Sequence, residues 1–217
     1  MVEAIVFDLD GTHMNTLDDL QDSTNYALKQ CGFDPRGYEE VRSFVGNGVR
    51  LLIERAVPQG TDKAQVEKCF EIFTKHYDKN MENKTRPYDG VEQMLEEVKK
   101  RGYKTAVVSN KYDSAVKKLV GERFGKYIGP AVGESATVKK KPSPDGVWAA
   151  LESLGVKRES AVYVGDSDVD AMTAKNAGLR FVGVTWGFRD RELLESLGAD
   201  RIIDNPSELV AAVESFA

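Results

Sequence analysis

The four apolar residues Ala4-Ile5-Val6-Phe7 run straight into Asp8-Leu9-Asp10-Gly11-Thr12, and this abrupt change limits what the chain can fold into. A short run of branched and aromatic side chains fits a central parallel strand covered on both faces. Ligands of such sheets bind beyond the carboxyl ends of the strands, so Asp8 and Asp10 are expected at a site. Residues two apart in extended backbone point to the same side. Two carboxylates placed that way repel unless a cation lies between them or one holds a proton, and both arrangements suit phosphoryl chemistry. A solitary Asp-x-Asp would be no more than a polar turn after a strand; the rest of the chain argues for more.

A second run of the same kind, Ala161-Val162-Tyr163-Val164-Gly165, ends at Asp166. Between the two the pattern changes character. Helical spacing predicts helices over 17–29, 38–44, 49–56 and 62–81, broken by Gly46-Asn47-Gly48 and Pro58-Gln59-Gly60, with no strand pattern from Thr16 to Lys84. From Asp89 onward strands and helices alternate. Strands are expected near Thr105–Val108, Tyr127–Val132, Phe181–Val184 and Arg201–Ile203, with helices near 89–101, 114–124, 145–154, 169–177, 192–197 and 207–215. Lys84–Tyr88 is expected to be a linker. Alternation of this kind gives an α/β fold, a doubly wound parallel sheet with right-handed crossovers. A chain of 217 residues can hold such a core with a smaller insertion. The expected division is a core of 1–15 and 85–217 and a helical block of 16–84.

The net charge of −5 argues against a nucleic-acid partner, which would call for a basic excess. The two cysteines, Cys31 and Cys69, are far apart and lack ligand spacing; they suggest neither a disulfide framework nor a zinc site, and a reduced, cytoplasmic setting is the default expectation. The apolar run at the start is too short for a membrane span and is interrupted by Asp8, so no membrane partner is expected.

The strand ends carry the chemistry. Asp8 and Asp10, Ser109 and Asn110, and Asp166 with Asp170 fall at three of them, and a loop brings Lys141. In a doubly wound sheet these ends share one edge, so groups more than a hundred residues apart can converge. Three carboxylates, a hydroxyl-amide pair and a lysine suit a hard divalent cation together with a phosphate. Magnesium takes oxygen ligands and retains waters, and Lys141 and the Ser109 hydroxyl would hold the remaining phosphate oxygens.

Asp8-Leu9-Asp10-Gly11-Thr12, Ser109-Asn110, Lys141-Pro142 and Gly165-Asp166-Ser167-Asp168-Val169-Asp170 together resemble, in order, the four motifs of the haloacid-dehalogenase-like phosphatases. The resemblance covers the whole chain and makes the helical block 16–84 that family's inserted cap. It implies that Asp8 is the nucleophile, becoming an aspartyl-phosphate, and that Asp10 protonates the leaving oxygen and then activates water. It also implies that Mg2+ is held by Asp8, the Asp10 main-chain carbonyl and Asp166, that Ser109, Asn110 and Lys141 bind phosphate, and that Asp170 supports the ligands from behind. Phe44-Val45-Gly46-Asn47-Gly48-Val49-Arg50 and Val184-Thr185-Trp186-Gly187-Phe188 are similar to the phosphoglycolate phosphatase group. Gly46, Asn47 and Arg50 would then be the cap's substrate residues, Arg50 meeting a substrate carboxylate. His13 stands where leucine is usual, able either to titrate near neutrality or simply to pack. The implied partner is a small phosphorylated substrate, and the protein a monomer or homodimer. A phosphomutase or pyrophosphatase of the family, and outside enzymes a phosphoacceptor signalling module, use overlapping constellations.

Overall fold

In the computed structural model, which describes residues 1–216, strand β1 (Ala4–Phe7) lies inside a six-stranded parallel sheet. The other strands are β4 (Lys104–Tyr112), β5 (Ala131–Glu134), β6 (Ala161–Gly165), β7 (Arg180–Val184) and β8 (Arg201–Ile203), in the order β5-β4-β1-β6-β7-β8. All four residues of β1 are fully buried, which is why the run is apolar without alternation. Ala4 and Val6 face a core shared with Ala106, Val108 and Tyr163 and with Val147, Ala150 and Ala174 of helices α7 (Asp145–Leu154) and α8 (Asp168–Ala177). Truncating a large fully buried side chain such as Phe7 costs about 3–5 kcal/mol.

The topology decides where a ligand can bind. From β1 the chain crosses to β4 and on to β5; it returns beside β1 as β6 and then winds the other way through β7 to β8. The reversal falls between β1 and β6, and a crevice at the carboxyl ends of those strands is the usual site in sheets of this type. Phe7 stands in register with Val107 on one side and Val164 on the other, so the polar residues that follow each of them reach one edge together.

The chain divides into two units, Met1–His13 together with Pro87 onward, and Met14–Arg86. The second is built of α1 (Leu17–Gln30), α2 (Tyr38–Phe44), α3 (Val49–Ala56) and α4 (Lys63–Asn80), with α1 packed on α4. Asp62 caps α4 by accepting from the amides of Ala64 and Gln65. The buried Asp19 carboxylate takes the amides of Lys84 and Thr85 at 2.9 and 2.8 Å, tying the exit of this unit to its first helix. Cys31 and Cys69, remote in sequence, are neighbours here; both are free, and burial, with Cys31 beside it, pushes the Cys69 thiol up to about 12.

Three expectations need correcting. Strand β4 runs on to Tyr112, so Ser109 and Asn110 lie within it rather than after it. Strand β5 starts later than Tyr127, because the amides of Tyr127 and Ile128 bond back to Phe124 and close α6 (Asp113–Phe124). The expected linker contains a two-residue strand, β3 (Arg86–Pro87), paired with β2 (Met14–Asn15).

Candidate active site

The centre of the site is a buried ammonium. Lys141 Nζ lies 2.6 Å from Asp8 Oδ1, 2.7 Å from Asp170 Oδ1 and 3.2 Å from the Tyr163 hydroxyl. Tyr163 in turn donates to Asp170 Oδ1 at 3.1 Å. The other Asp170 oxygen accepts from the amides of Asp166 and Ser167 and from the Ser167 hydroxyl. These bonds follow from a local pattern: Ser167 caps α8 and Asp170, three residues on, returns a bond to the cap's own amide. A helix start thus fixes the carboxylate that holds the lysine, and removing either partner of such a buried pair costs about 3–5 kcal/mol.

Asp166 closes the other side. Its oxygens accept from the Thr12 hydroxyl at 3.2 Å and from the Phe188 amide at 2.7 Å, both neutral donors. The main chain packs tightly around it: Gly11 has φ +94°, and a Cβ on Gly11 or Gly187 would collide with the Asp166 side chain. Only glycine allows that approach without strain. Trp186 anchors the same segment by donating to the Thr12 carbonyl at 3.0 Å.

Three carboxylates, those of Asp8, Asp166 and Asp170, offer oxygens within 4.8 Å of one another and meet one ammonium. Two negative charges are left over, the charge of one divalent cation. Burial, with Asp170 next, raises Asp166 to about 7; the Phe188 amide and Lys141 oppose it. Burial and then Asp170 push Asp8 well above the usual carboxylate range, against Lys141. For Lys141, burial would lower the pKa, but Asp170 and Asp8 outweigh it and hold the group firmly protonated. Buried hard oxygens with unbalanced charge, in a cradle kept narrow by glycine, fit a divalent metal. Asp170 is already taken up by Lys141 and the α8 cap, which leaves Asp8 and Asp166 as the side chains for an ion.

Asp10 stands apart from this cluster. It lies beyond the end of β1, and Lys111 Nζ approaches both of its carboxylate oxygens at 3.3 Å; the two side chains are 19% and 12% exposed. Ser109 is buried, and its hydroxyl accepts from the Lys111 amide at 3.3 Å. The β4–β5 register shifts between Val108 and Tyr112, an irregularity that re-aims side chains at a site. The Asn110 side chain is committed to the Lys141 main chain, accepting from its amide at 2.6 Å and donating to its carbonyl at 3.1 Å. Its side chain therefore braces the loop carrying Lys141, where the sequence suggested a phosphate ligand.

His13 is fully buried between the rings of Phe7 and Phe124, with Nδ1 2.9 Å from the Asp8 carbonyl. Burial lowers its pKa to about 4. It stays neutral near physiological pH and steadies the main chain at Asp8, so of the two expectations, titrating or packing, it packs. In the helical unit, Gly46 and Gly48 both have positive φ, and Arg55 holds their turn through the Phe44 carbonyl and the Asn47 side chain. Arg50 engages Glu67 with both terminal nitrogens, at 2.9 and 3.1 Å, and lies 4.0 Å over Phe70. That fork is directed at Glu67, in contrast to the expectation that it waits for a substrate carboxylate.

Sequence reasoning missed Lys111, Tyr163 and the Phe188 amide as site groups. Lys111 follows directly on Ser109-Asn110 and could have been read from that adjacency; Tyr163 lies inside an apolar run that gave no polar signal, and a main-chain amide gives none.

The chain is similar over most of its length to known proteins. The family model for haloacid dehalogenase-like hydrolases matches residues 5–184. A phosphoglycolate phosphatase of Aquifex aeolicus is 35% identical over 99% of this chain and 98% of its own. One from Mesorhizobium japonicum is 35% identical over 88% of this chain and 86% of its own. A solved structure from Lactobacillus delbrueckii subsp. bulgaricus, provisionally described as a phosphoglycolate phosphatase, superposes with a TM-score of 0.93 at 32% identity, covering 97% of this chain and 98% of that one.

Proposed function

Because the chain belongs to the haloacid dehalogenase-like hydrolases and is a phosphatase of that family, we propose that it hydrolyses a small phosphate monoester with magnesium, through a phosphorylated Asp8, and that 2-phosphoglycolate is the first candidate substrate. The observation that carries this reading is the buried group of Asp8, Asp166 and Asp170 around Lys141, with Asp10 two residues after Asp8 and paired with Lys111.

In this reading Asp8 attacks phosphorus, forming an acyl phosphate as the ester oxygen leaves. Asp8, Asp166 and the Asp10 main-chain carbonyl would hold the magnesium ion, which when bound draws charge from the phosphoryl oxygens. Lys141 keeps the Asp8 carboxylate oriented and, with the Ser109 hydroxyl, takes phosphoryl oxygens. Asp10 gives its proton to the leaving oxygen and later removes one from the water that cleaves the acyl phosphate. A phosphoacceptor signalling module has no use for a carboxylate in that position. The helical unit is assigned the part of the cap that covers a small leaving group and excludes water.

The test is a panel of small phosphate esters with and without magnesium. We expect magnesium-dependent release of inorganic phosphate, with 2-phosphoglycolate ahead of neutral aryl and alkyl esters. Equal turnover in a chelator, or a preference for bulky nucleotides, would remove the proposal.

A further inference from the structure

We infer that Lys111 recognises a carboxylate on the leaving group and so sets specificity from within the α/β unit; the inference rests on the phosphoglycolate reading above. The group that protonates the leaving oxygen must lie within hydrogen-bond reach of it. Lys111 Nζ is 3.3 Å from each oxygen of Asp10, the residue given that task. Its ammonium is therefore one hydrogen-bond step beyond the leaving oxygen that Asp10 serves. In glycolate the carboxylate is separated from the leaving oxygen by a single methylene, so it comes to the same place. The side chain is 12% exposed, and a charge so shielded attracts an anion more strongly than one in open water. Its position is fixed from below by the irregular stretch of β4, where its amide bonds the Ser109 hydroxyl. Lys111 and Arg50 are both paired, but the partner of Lys111 is Asp10, the acid of the proposed reaction, whereas that of Arg50 is Glu67 of the helical unit.

The two lysines then differ in task. Lys141 serves every phosphate ester alike, since it addresses Asp8 and the phosphoryl group. Lys111 addresses what differs between esters.

A pair of substrates isolates the carboxylate: 2-phosphoglycolate and 2-hydroxyethyl phosphate, which keeps the chain and the leaving oxygen but carries a hydroxymethyl group instead. In the unaltered enzyme kcat/KM should favour 2-phosphoglycolate by about tenfold or more, as for one charge-assisted hydrogen bond. Lys111→Met should bring that ratio close to one, chiefly by raising KM for 2-phosphoglycolate, and Lys111→Arg should restore part of it. If Lys111 only positioned Asp10, Lys111→Met would slow both substrates by the same factor; an unchanged ratio overturns the inference while leaving the phosphoglycolate reading intact. No preference in the unaltered enzyme overturns the substrate reading and the inference with it.

Discussion

The two units handle charge in opposite ways. In the α/β unit, polar residues from positions 8, 141, 166 and 170 meet in a buried cluster whose partners lie up to 133 residues apart. In the helical unit Arg36, Arg50 and Arg55 serve local structure. Arg36 pairs with Glu40 one turn away, Arg55 braces the turn beside its own helix, and Arg50 pairs with Glu67 in the open, at 45% and 52% exposure. Buried and unbalanced charge is expensive and persists where chemistry needs it; exposed pairs are screened and carry little. The difference supports the proposal that the reaction and its first level of specificity belong to the α/β unit.

The largest effect that should follow is at Asp8. Asp8→Asn keeps shape but removes the attacking charge and a metal ligand, and turnover should fall by more than about a hundredfold, the scale of a missing general acid or base. Steady-state kinetics with an aryl phosphate would measure it. A milder loss would break the contrast, since the buried cluster would then be structural.

A second effect concerns pH. With its carboxyl raised from 3.8 to about 7, Asp166 binds a proton more tightly in the folded state than in the unfolded one. Its contribution to the stability of the metal-free protein therefore falls as pH rises through that window. A cation favours the ionised form, so magnesium should stabilise the protein most above pH 7 and progressively less below it. Thermal melts with and without magnesium at about pH 5.5 and about pH 8 would show the larger increment at the higher pH; equal increments would mean that Asp166 is not a ligand.

The smallest effect should come from the helical unit. Arg50→Ala should change kcat/KM for 2-phosphoglycolate by less than about threefold, as for an exposed ion pair. A loss as large as that of Lys111→Met would move carboxylate recognition to the helical unit and erase the contrast.

Much of the α/β architecture was legible because its signals are local. Apolar runs ending in acid at Asp8 and Asp166 mark buried strands, and Gly155 and Gly178 stop helices in the left-handed conformation. What was not legible depends on pairing across the fold. Nothing in sequence distinguishes Asn110 as a brace for Lys141 from Asn110 as a phosphate ligand, because the choice is made by a loop 31 residues away. Arg50 beside a glycine turn looks like a substrate group until Glu67, a helix later, is seen to face it. Whether His13 titrates or packs is left open by the sequence and decided by the rings of Phe7 and Phe124 that enclose it.

The central claim is that Asp8 carries the phosphoryl group, and chemical trapping tests it most directly. An acyl phosphate is reduced by borohydride where a free carboxylate is not, converting aspartate to homoserine. Asp10→Asn enzyme mixed with an aryl phosphate and magnesium should form the intermediate, since that leaving group needs no proton, and should then hydrolyse it slowly. Peptide mass analysis after borohydride is predicted to find homoserine at position 8 and only when both ester and magnesium are present. Reduction at another carboxylate, or turnover that continues with position 8 unmodified, would contradict the account.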